Sequence, residues 1–284
     1  MNSSEINRYK RLIESSNVYD VALITPITKA NQLSKTLKNE ILLKREDLQP
    51  IFSFKVRGAY NKLAKLRQNG LTGPVIAASA GNHAQGVSFG AKNLGIKAYI
   101  VMPITTPSIK VDSVKNYGGK VILKGDNFDE AFKYAEELAK KENYTFIHPY
   151  DDRDVIAGQG TVGKELIEQI DNGMDVVFVP VGGGGLLAGL GSYIKSVNPK
   201  IKIIGVEPED AACLKLALDN NKRLSLAEVG LFADGVAVKQ IGKNTFSLIR
   251  QWIDDVITVS VDEMCAAVQD TFQETRTVPE PAGA

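Results

Sequence analysis

Hydrophobic positions along the chain follow two spacings, which predict the order of helices and strands. The helical spacing predicts helices over 4–16, 54–68, 82–94, 107–117, 127–141, 154–170, 185–197, 210–220, 244–253 and 261–275. Short apolar runs predict strands over 41–44, 75–78, 97–102, 120–123, 144–147, 176–181, 201–206 and 256–259. The segment 25–28 is predicted to be extended.

Short strands that alternate with longer helices are typical of parallel sheets covered by helices on both faces. Because two such series follow each other, we expect an α/β fold with two lobes and a cleft between them. The most apolar window, 176–194, is long enough for a membrane span. It contains six glycines and an internal proline. A buried strand, turn and helix therefore explain it better.

Composition narrows the class of protein. The 284 residues are 44% hydrophobic and 24% charged, with a net charge of +1. These values are typical of an ordinary globular protein and give no reason to expect a nucleic-acid or membrane partner. The cysteines, Cys213 and Cys265, have no metal-type spacing, and His83 and His148 are too few for a multi-histidine metal site. We therefore expect no metal site. Because the first residues also lack signal-peptide features, we expect a cytoplasmic protein.

Lys55 is the first candidate for chemistry. Ser53 is predicted to cap the helix over 54–68, so Lys55 lies in its first turn. The helix dipole disfavours an ammonium there by roughly 0.3–1 kcal/mol, and a neutral lysine is the better amine nucleophile. The alternative is an ordinary solvated lysine.

The segment 79–86 (SAGNHAQG) lies between a predicted strand and a predicted helix. Exposed N–H groups at such a helix start bind carboxylates or phosphates. Asn82 offers a side-chain amide to a phenolic oxygen. His83 alone is more often a structural residue than a catalytic one.

The glycines at 182–185 follow the strand that ends at residue 181 and begin the next helix. They would let the backbone surround a phosphate with N–H groups. The same segment also matches a dinucleotide fingerprint, with Gly183, Gly185 and Ala188 in the motif and Glu207 as the ribose ligand. An NAD-dependent oxidoreductase is therefore an alternative.

A second glycine-rich segment, 158–164 (GQGTVGK), mimics a nucleoside-triphosphate loop. No convincing strand precedes it, and Glu165 stands where a magnesium-binding hydroxyl should be. We interpret its glycines as close-packing positions inside a helix.

A lysine, an amide-rich loop and a phosphate-binding turn need one explanation. Pyridoxal 5′-phosphate has the matching groups: an aldehyde for the lysine, a ring oxygen for the amide and a phosphate for the glycines. A dinucleotide explains only the phosphate-binding turn.

At this point the chain resembles a known family, the fold-type II pyridoxal-phosphate enzymes, and within it the biosynthetic threonine dehydratases. The resemblance covers nearly the whole chain. It rests on the segments 53–59 (SFKVRGA), 78–86 (ASAGNHAQG), 180–186 (PVGGGGL), 230–238 (GLFADGVAV) and 280–284 (EPAGA). It implies a tryptophan-synthase-β-like fold with the cofactor in the cleft between the lobes.

The resemblance also implies the roles of individual residues. The cofactor would be bound covalently by Lys55 and contacted by Phe54, Asn82, Gly182, Gly183, Gly184, Gly185, Leu186 and Gly235. The substrate carboxylate would be bound by Ser79, Ala80, Gly81, Asn82 and His83. Related serine racemases carry a serine in place of Ala80, so the alanine argues against racemisation.

The expected reaction is dehydration and deamination of L-threonine to 2-oxobutanoate and ammonia, with L-serine as a poorer substrate that gives pyruvate. Such a lyase serves isoleucine biosynthesis. Alternatives within the family are serine dehydratase or racemase, threonine synthase and cysteine synthase. Outside the family, the alternatives are the NAD-dependent oxidoreductase and a non-catalytic amino-acid-binding module.

The resemblance places residues 1–46 and 150–284 in a large lobe and residues 47–149 in a small lobe, and it implies a homo-oligomer, a dimer or a tetramer. Family members continue beyond the position of Ala284 with a strand that carries the serine facing the pyridine nitrogen, and usually with a regulatory domain. We therefore expect the sequence to be truncated.

Overall fold

Strands and helices alternate along the chain in the computed structural model, which describes residues 3–171 and 173–284. The strands in those residues are β1 (Ile27–Lys29), β2 (Leu42–Lys44), β3 (Val75–Ala78), β4 (Ala98–Met102), β5 (Lys120–Leu123), β6 (Thr145–Phe146), β7 (Val176–Pro180), β8 (Lys202–Pro208) and β9 (Asp255–Val259). The helices are α1 (Ser3–Glu14), α2 (Asn31–Leu37), α3 (Lys55–Gln68), α4 (Asn82–Asn93), α5 (Ser108–Asn116), α6 (Phe128–Glu142), α7 (Arg153–Gln169), α8 (Gly185–Val197), α9 (Cys213–Asp219), α10 (Lys243–Ile249) and α11 (Val261–Thr275).

Each helix and strand predicted from hydrophobic spacing is present, with ends that differ by a few residues. Helix α9 begins later than predicted because residues 209–211 form a 3-10 turn first. Helix α2 was not predicted, and the reason is that it buries none of its residues. Without a buried face, its sequence carries no apolar stripe.

The strands form two parallel sheets and one small antiparallel pair. The four-stranded sheet has the order β5-β4-β3-β6, and the three-stranded sheet has the order β7-β8-β9. All of these neighbours are parallel, whereas β1 and β2 pair in the antiparallel direction. The predicted class, α/β with parallel sheets covered by helices, is confirmed.

Strand β3 shows why its sequence is continuously apolar. All of its residues are buried. Val75 and Ala77 face the apolar cluster formed with α3 and α4, while Ile76 and Ala78 face the cluster formed with α6. Because both faces of the sheet are covered, alternation of polar and apolar residues is lost.

The glycines of the segment 158–164 lie inside α7, as predicted. A Cβ on Gly160 would lie 2.5 Å from Ile13 Cδ1, and one on Gly163 would lie 2.7 Å from the carbonyl oxygen of Leu190 in α8. Side chains are excluded here because α7 packs against its neighbours at backbone contact. The window 176–194 forms β7 and α8, so its interpretation as strand, turn and helix is also confirmed. No helix of the described residues has the length and apolarity needed to cross a membrane.

Candidate active site

Lys55 is the first residue of α3. The cap position is Phe54 rather than Ser53, so the predicted cap was wrong by one residue. The Ser53 hydroxyl still accepts a hydrogen bond from the Lys55 N–H at 3.3 Å. The Lys55 ammonium lies 5.3 Å from the centre of the Phe54 ring and 3.5 Å from the carbonyl oxygen of Pro149. Burial lowers the pKa of Lys55 from 10.5 to about 8, so its amine is partly neutral near neutral pH.

Arg57, two residues after Lys55, fixes the start of α3. Its buried guanidinium donates to Glu46 Oε1 at 2.8 Å and to Glu165 Oε2 at 3.0 Å. Lys44 also pairs with Glu165, so two positive and two negative side chains neutralise one another. Glu46 follows β2 and Glu165 lies on α7, so this ionic cluster joins α3 to both.

The backbone around Lys55 is also fixed by close helix contacts. A Cβ on Gly158 of α7 would lie 2.6 Å from the carbonyl oxygen of Arg57. On the other side, a Cβ on Gly86 of α4 would lie 3.1 Å from the carbonyl oxygen of Lys55. The backbone of Lys55 is therefore held between two helices, which fixes the point from which its amine extends.

The predicted substrate loop, residues 79–83, runs from the end of β3 into the first turn of α4. The Ser79 hydroxyl accepts from the Gly81 N–H at 3.2 Å, which shapes the turn, and Ala80 lies within it. Asn82 begins α4. Because the first N–H groups of a helix have no partner inside it, this end of α4 suits a carboxylate.

The ring of His83 does not face the proposed carboxylate site. It is buried, and its Nε2 lies 3.0 Å from the carbonyl oxygen of Ile147. Burial lowers the pKa of His83 to about 3. The ring is therefore neutral and structural, so a ligand would contact the backbone N–H of His83.

The glycine turn predicted to bind phosphate precedes and begins α8. Gly184 has a φ of +86°, a left-handed conformation that favours glycine. Within the part of the chain that the structure describes, the N–H groups of Gly182, Gly183 and Gly184 donate to no backbone acceptor. These free donors, with those of Gly185 and Leu186 at the start of α8, form an anion-binding turn.

Residues that sequence reasoning missed support this turn from behind. A Cβ on Gly183 would lie 2.2 Å from the Tyr150 ring, and one on Gly182 would lie 2.9 Å from Val236 Cα. Thr245 donates to the carbonyl oxygen of Gly183 at 2.8 Å. Tyr150 and Thr245 lie outside the motifs noted in the sequence. Val236 lies in the segment 230–238, but that motif does not indicate its contact with the turn, which comes from a distant part of the chain.

Glu280 is the other residue that was missed, although its motif was noted. Its Oε1 and Oε2 accept from Asn82 Nδ2 at 3.0 and 3.1 Å. Gly235, predicted to lie beside the cofactor ring, is next to it, since a Cβ there would lie 3.4 Å from Glu280 Oε1. Burial raises the pKa of the Glu280 carboxyl, and the charge of Lys55 lowers it. Lys55, Asn82, Gly235 and Glu280 thus belong to one site.

These residues fit pyridoxal phosphate. The site has a lysine whose pKa is lowered, an amide with two hydrogens, and a glycine turn with free N–H groups. The segment Pro149–Tyr150 connects them, because Pro149 contacts the Lys55 ammonium and Tyr150 contacts Gly183. Lys55 would bind the aldehyde, Asn82 the ring oxygen, and the turn the phosphate.

Glu207 does not fit the dinucleotide alternative. It is fully buried and accepts from the N–H groups of Leu214 at 2.8 Å and Lys215 at 2.9 Å. Burial raises the pKa of its carboxyl to about 7. Because the carboxylate is occupied by the start of α9, it is not available to a ribose.

Comparison with known proteins identifies the family. Residues 19–284 match the family described as pyridoxal-phosphate dependent enzyme. The chain belongs to this family. Its members use pyridoxal phosphate, which agrees with the cofactor inferred from Lys55, Asn82 and the glycine turn.

Relatives and structures within this family are similar along nearly the whole chain. The chain is 55% identical to the L-threonine dehydratase biosynthetic IlvA of Pasteurella multocida, over 97% of this chain and 54% of the relative. It superposes on the processed form of threonine deaminase isoform 2 from Solanum lycopersicum with a TM-score of 0.96 and 46% identity, covering 99% of this chain and 82% of that one. Maize serine racemase gives a TM-score of 0.92 and 30% identity, covering 98% and 83%. The chain spans about half the length of the curated relatives that it matches.

Proposed function

We propose that this chain carries the catalytic site of a threonine ammonia-lyase, which converts L-threonine to 2-oxobutanoate and ammonia. L-Serine would be a secondary substrate that gives pyruvate. The observation that carries the proposal is the 50–55% identity to proteins named biosynthetic L-threonine dehydratase, over 97–99% of this chain. The same names support a role in isoleucine biosynthesis.

The residues of the site suit this elimination. The bound cofactor supplies the electron-accepting ring that makes the α-proton of the substrate acidic. The Lys55 amine, freed when the amino group of the substrate takes its place on the cofactor, would accept that proton; its pKa of about 8 leaves part of it neutral near pH 7. Within the segment 79–83, the N–H groups of Ser79 and Gly81 have partners in the protein, so those of Ala80, Asn82 and His83 would hold the substrate carboxylate. Loss of the α-proton and the β-hydroxyl releases water, and hydrolysis of the product then releases ammonia.

Racemisation is the activity suggested by the likeness to maize serine racemase, but neither Ala80 nor His83 supports it. A second proton donor or acceptor would be needed on the opposite face of the substrate. Ala80 brings no titratable group to the loop, and the ring of His83 is turned toward Ile147. We therefore propose elimination rather than racemisation.

We further propose that residues 47–149 form a small lobe, and residues 1–46 and 150–284 a large lobe. The two separate parallel sheets, one within residues 75–146 and the other within residues 176–259, support this division. The homo-oligomer and the cytoplasmic location stay predictions.

The first experiment tests the role of Lys55. The purified protein should absorb visible light, its spectrum should change when L-threonine is added, and 2-oxobutanoate should form. Lys55→Ala should abolish the product, because no amine remains to accept the α-proton. Borohydride reduction and peptide mass mapping should place a pyridoxyl group on Lys55.

Lys65→Ala is the matched control. Lys65 lies on the same helix, and its partner is Asp154 at 3.6 Å, outside the site. This variant should keep both the chromophore and the activity. A pyridoxyl group on another lysine, or 2-oxobutanoate formed by Lys55→Ala, would contradict the proposed role.

A further inference from the structure

The motif at 280–284 has no role in the chemistry described so far, yet it brings Glu280 into the site. The Glu280 carboxylate accepts from Asn82 across 198 positions of sequence. Its Oε1 also lies close to Gly235, at 3.4 Å from the position that a Cβ would take. Glu280 therefore connects the start of α4 with the turn at Asp234–Val236.

The charges around Glu280 leave Lys55 as its uncompensated partner. Lys55, Lys110 and Asp234 act on the carboxyl. Lys110 and Asp234 pair with each other, so their effects on Glu280 largely cancel. Among the ion pairs of residues 3–171 and 173–284, none includes Lys55. Glu280 contacts Asn82, the first residue of α4, and α4 packs on the backbone of Lys55 four residues later, at Gly86. At this end of α4 the charge of Glu280 opposes the effect of burial on the pKa of Lys55.

We propose that Glu280 is a positioning residue, which orients the Asn82 amide and supplies the counter-charge of the Lys55 amine. This inference rests on the cofactor site proposed above. A carboxylate only accepts hydrogen bonds, so Asn82 must turn its NH2 group toward it. That group carries two hydrogens. Both oxygens of Glu280 lie at nearly the same distance from the nitrogen, so they share one hydrogen, and the other remains for the ring oxygen of the cofactor. Glu280 thereby selects a donor, rather than an acceptor, for that oxygen.

Glu280→Gln separates the charge from the hydrogen bond, because glutamine keeps an acceptor oxygen but has no charge. The full chain, freed of bound aldehyde with hydroxylamine, is labelled with limiting acetic anhydride between about pH 6 and about pH 10, a range that includes the usual pKa of lysine. Mass spectrometry of the Lys55 peptide gives the pH dependence of labelling. Near neutral pH, Lys55 should react at least about threefold faster in Glu280→Gln, since loss of an opposite charge favours the neutral amine.

Glu280→Ala tests the hydrogen bond. With no acceptor, the Asn82 amide is free to turn, so the variant should lose pyridoxal phosphate faster on dialysis than either the wild type or Glu280→Gln. Asp112→Asn is the matched control, because Asp112 is an exposed acid whose partner is Lys115. It should change neither the labelling of Lys55 nor the retention of the cofactor.

The outcomes separate this inference from the proposed function. Unchanged Lys55 labelling in Glu280→Gln, or equal cofactor retention in Glu280→Ala and wild type, would overturn the role of Glu280 even in an active enzyme. Faster labelling in Glu280→Gln, in a protein that forms no 2-oxobutanoate, would support the counter-charge and contradict the function instead.

Discussion

At the scale of single residues, the burial of His83 makes the free energy of unfolding depend on pH. Burial lowers the pKa of its ring to about 3 in the folded protein, whereas an unfolded histidine has a pKa of about 6.5. Between these values the unfolded chain binds a proton that the folded chain does not. The free energy of unfolding therefore has its full value above about pH 6.5 and falls as the pH decreases from there.

His83→Gln tests this link, because glutamine can still donate to the carbonyl oxygen of Ile147. From pH 7 to pH 5 the wild type should lose about 2 kcal/mol of stability through His83, and the variant should lose about that much less. Urea unfolding at both pH values measures the difference. His148, whose pKa is also lowered by burial, contributes equally to both proteins. Identical pH slopes would show that His83 is protonated in the folded state.

Lys55 shows what the sequence could and could not establish about one residue. Its place at a helix start predicted a lowered pKa correctly. The dipole invoked there accounts for about 1 kcal/mol at most, which is less than one pKa unit. The pKa of about 8 has burial as its largest cause. Burial depends on the helices that cover the residue, so it could not be read from the residues beside it.

At the scale of helices, the contact between α3 and α7 leaves no room for a side chain at Gly158. A Cβ on Gly158 would lie 2.6 Å from both the carbonyl oxygen of Arg57 and the Cα of Gly58. Gly158→Ala should therefore move α3, reduce stability by roughly 1–3 kcal/mol, and weaken cofactor retention by displacing Lys55. Chemical denaturation and dialysis measure these effects.

Gly73→Ala is the control for this helix contact, because no atom lies within 4 Å of the added Cβ. Its stability and cofactor retention should match the wild type. If Gly158→Ala also matched the wild type, α3 would have to shift without cost, and the rigid placement of Lys55 would be wrong.

Helices that bury an apolar stripe were predicted from the sequence, whereas a helix without a buried face was missed. The interior glycines of α7 were recognised as packing positions because the segment lacks a preceding strand. Helix α2 was missed since none of its residues is buried. The cap at Ser53 was wrong by one residue, because the helix starts only after Phe54. Helix ends depend on local hydrogen bonds that periodicity does not encode.

At the scale of the molecule, two ion pairs connect helices that cover the four-stranded sheet with the segment between α9 and α10. Lys110 on α5 pairs with Asp234, and Lys239 pairs with Asp129 on α6 at 2.9 Å. Both pairs are partly exposed, so each contributes roughly 0.2–1 kcal/mol and is screened by salt. They hold the proposed lobes together next to Gly235.

Removing both pairs should make the cofactor leave faster. The double variant Lys110→Gln/Lys239→Gln is expected to release it about threefold to tenfold faster at low salt, consistent with the sum of two such pairs. High salt should speed cofactor release from the wild type by a similar factor, and it should change the release rate of the variant little. Stopped-flow trapping of released cofactor measures the rate. Asp219→Asn removes a pair that lies within α9, so it should behave like the wild type; a slower or unchanged double variant would contradict the role of the pairs.

The long-range part of the site was the least predictable. Motifs identified Lys55, Asn82 and the glycine turn, because each lies at a junction of a strand or loop with a helix. Tyr150 and Thr245 carry no such signal, and the motif that contains Glu280 did not indicate its contact with Asn82. Their roles depend on which distant segments meet, and a single sequence does not show this.

The contact of Gly58 with Gln159 spans 101 positions of sequence, and that of Asn82 with Glu280 spans 198. Closing such long loops costs entropy, which is recovered only after the intervening sheets have formed. We therefore expect the site to be completed late in folding, after most of the chain is in place. In that case the cofactor binds a nearly complete protein and stabilises it in proportion to its preference for the folded state.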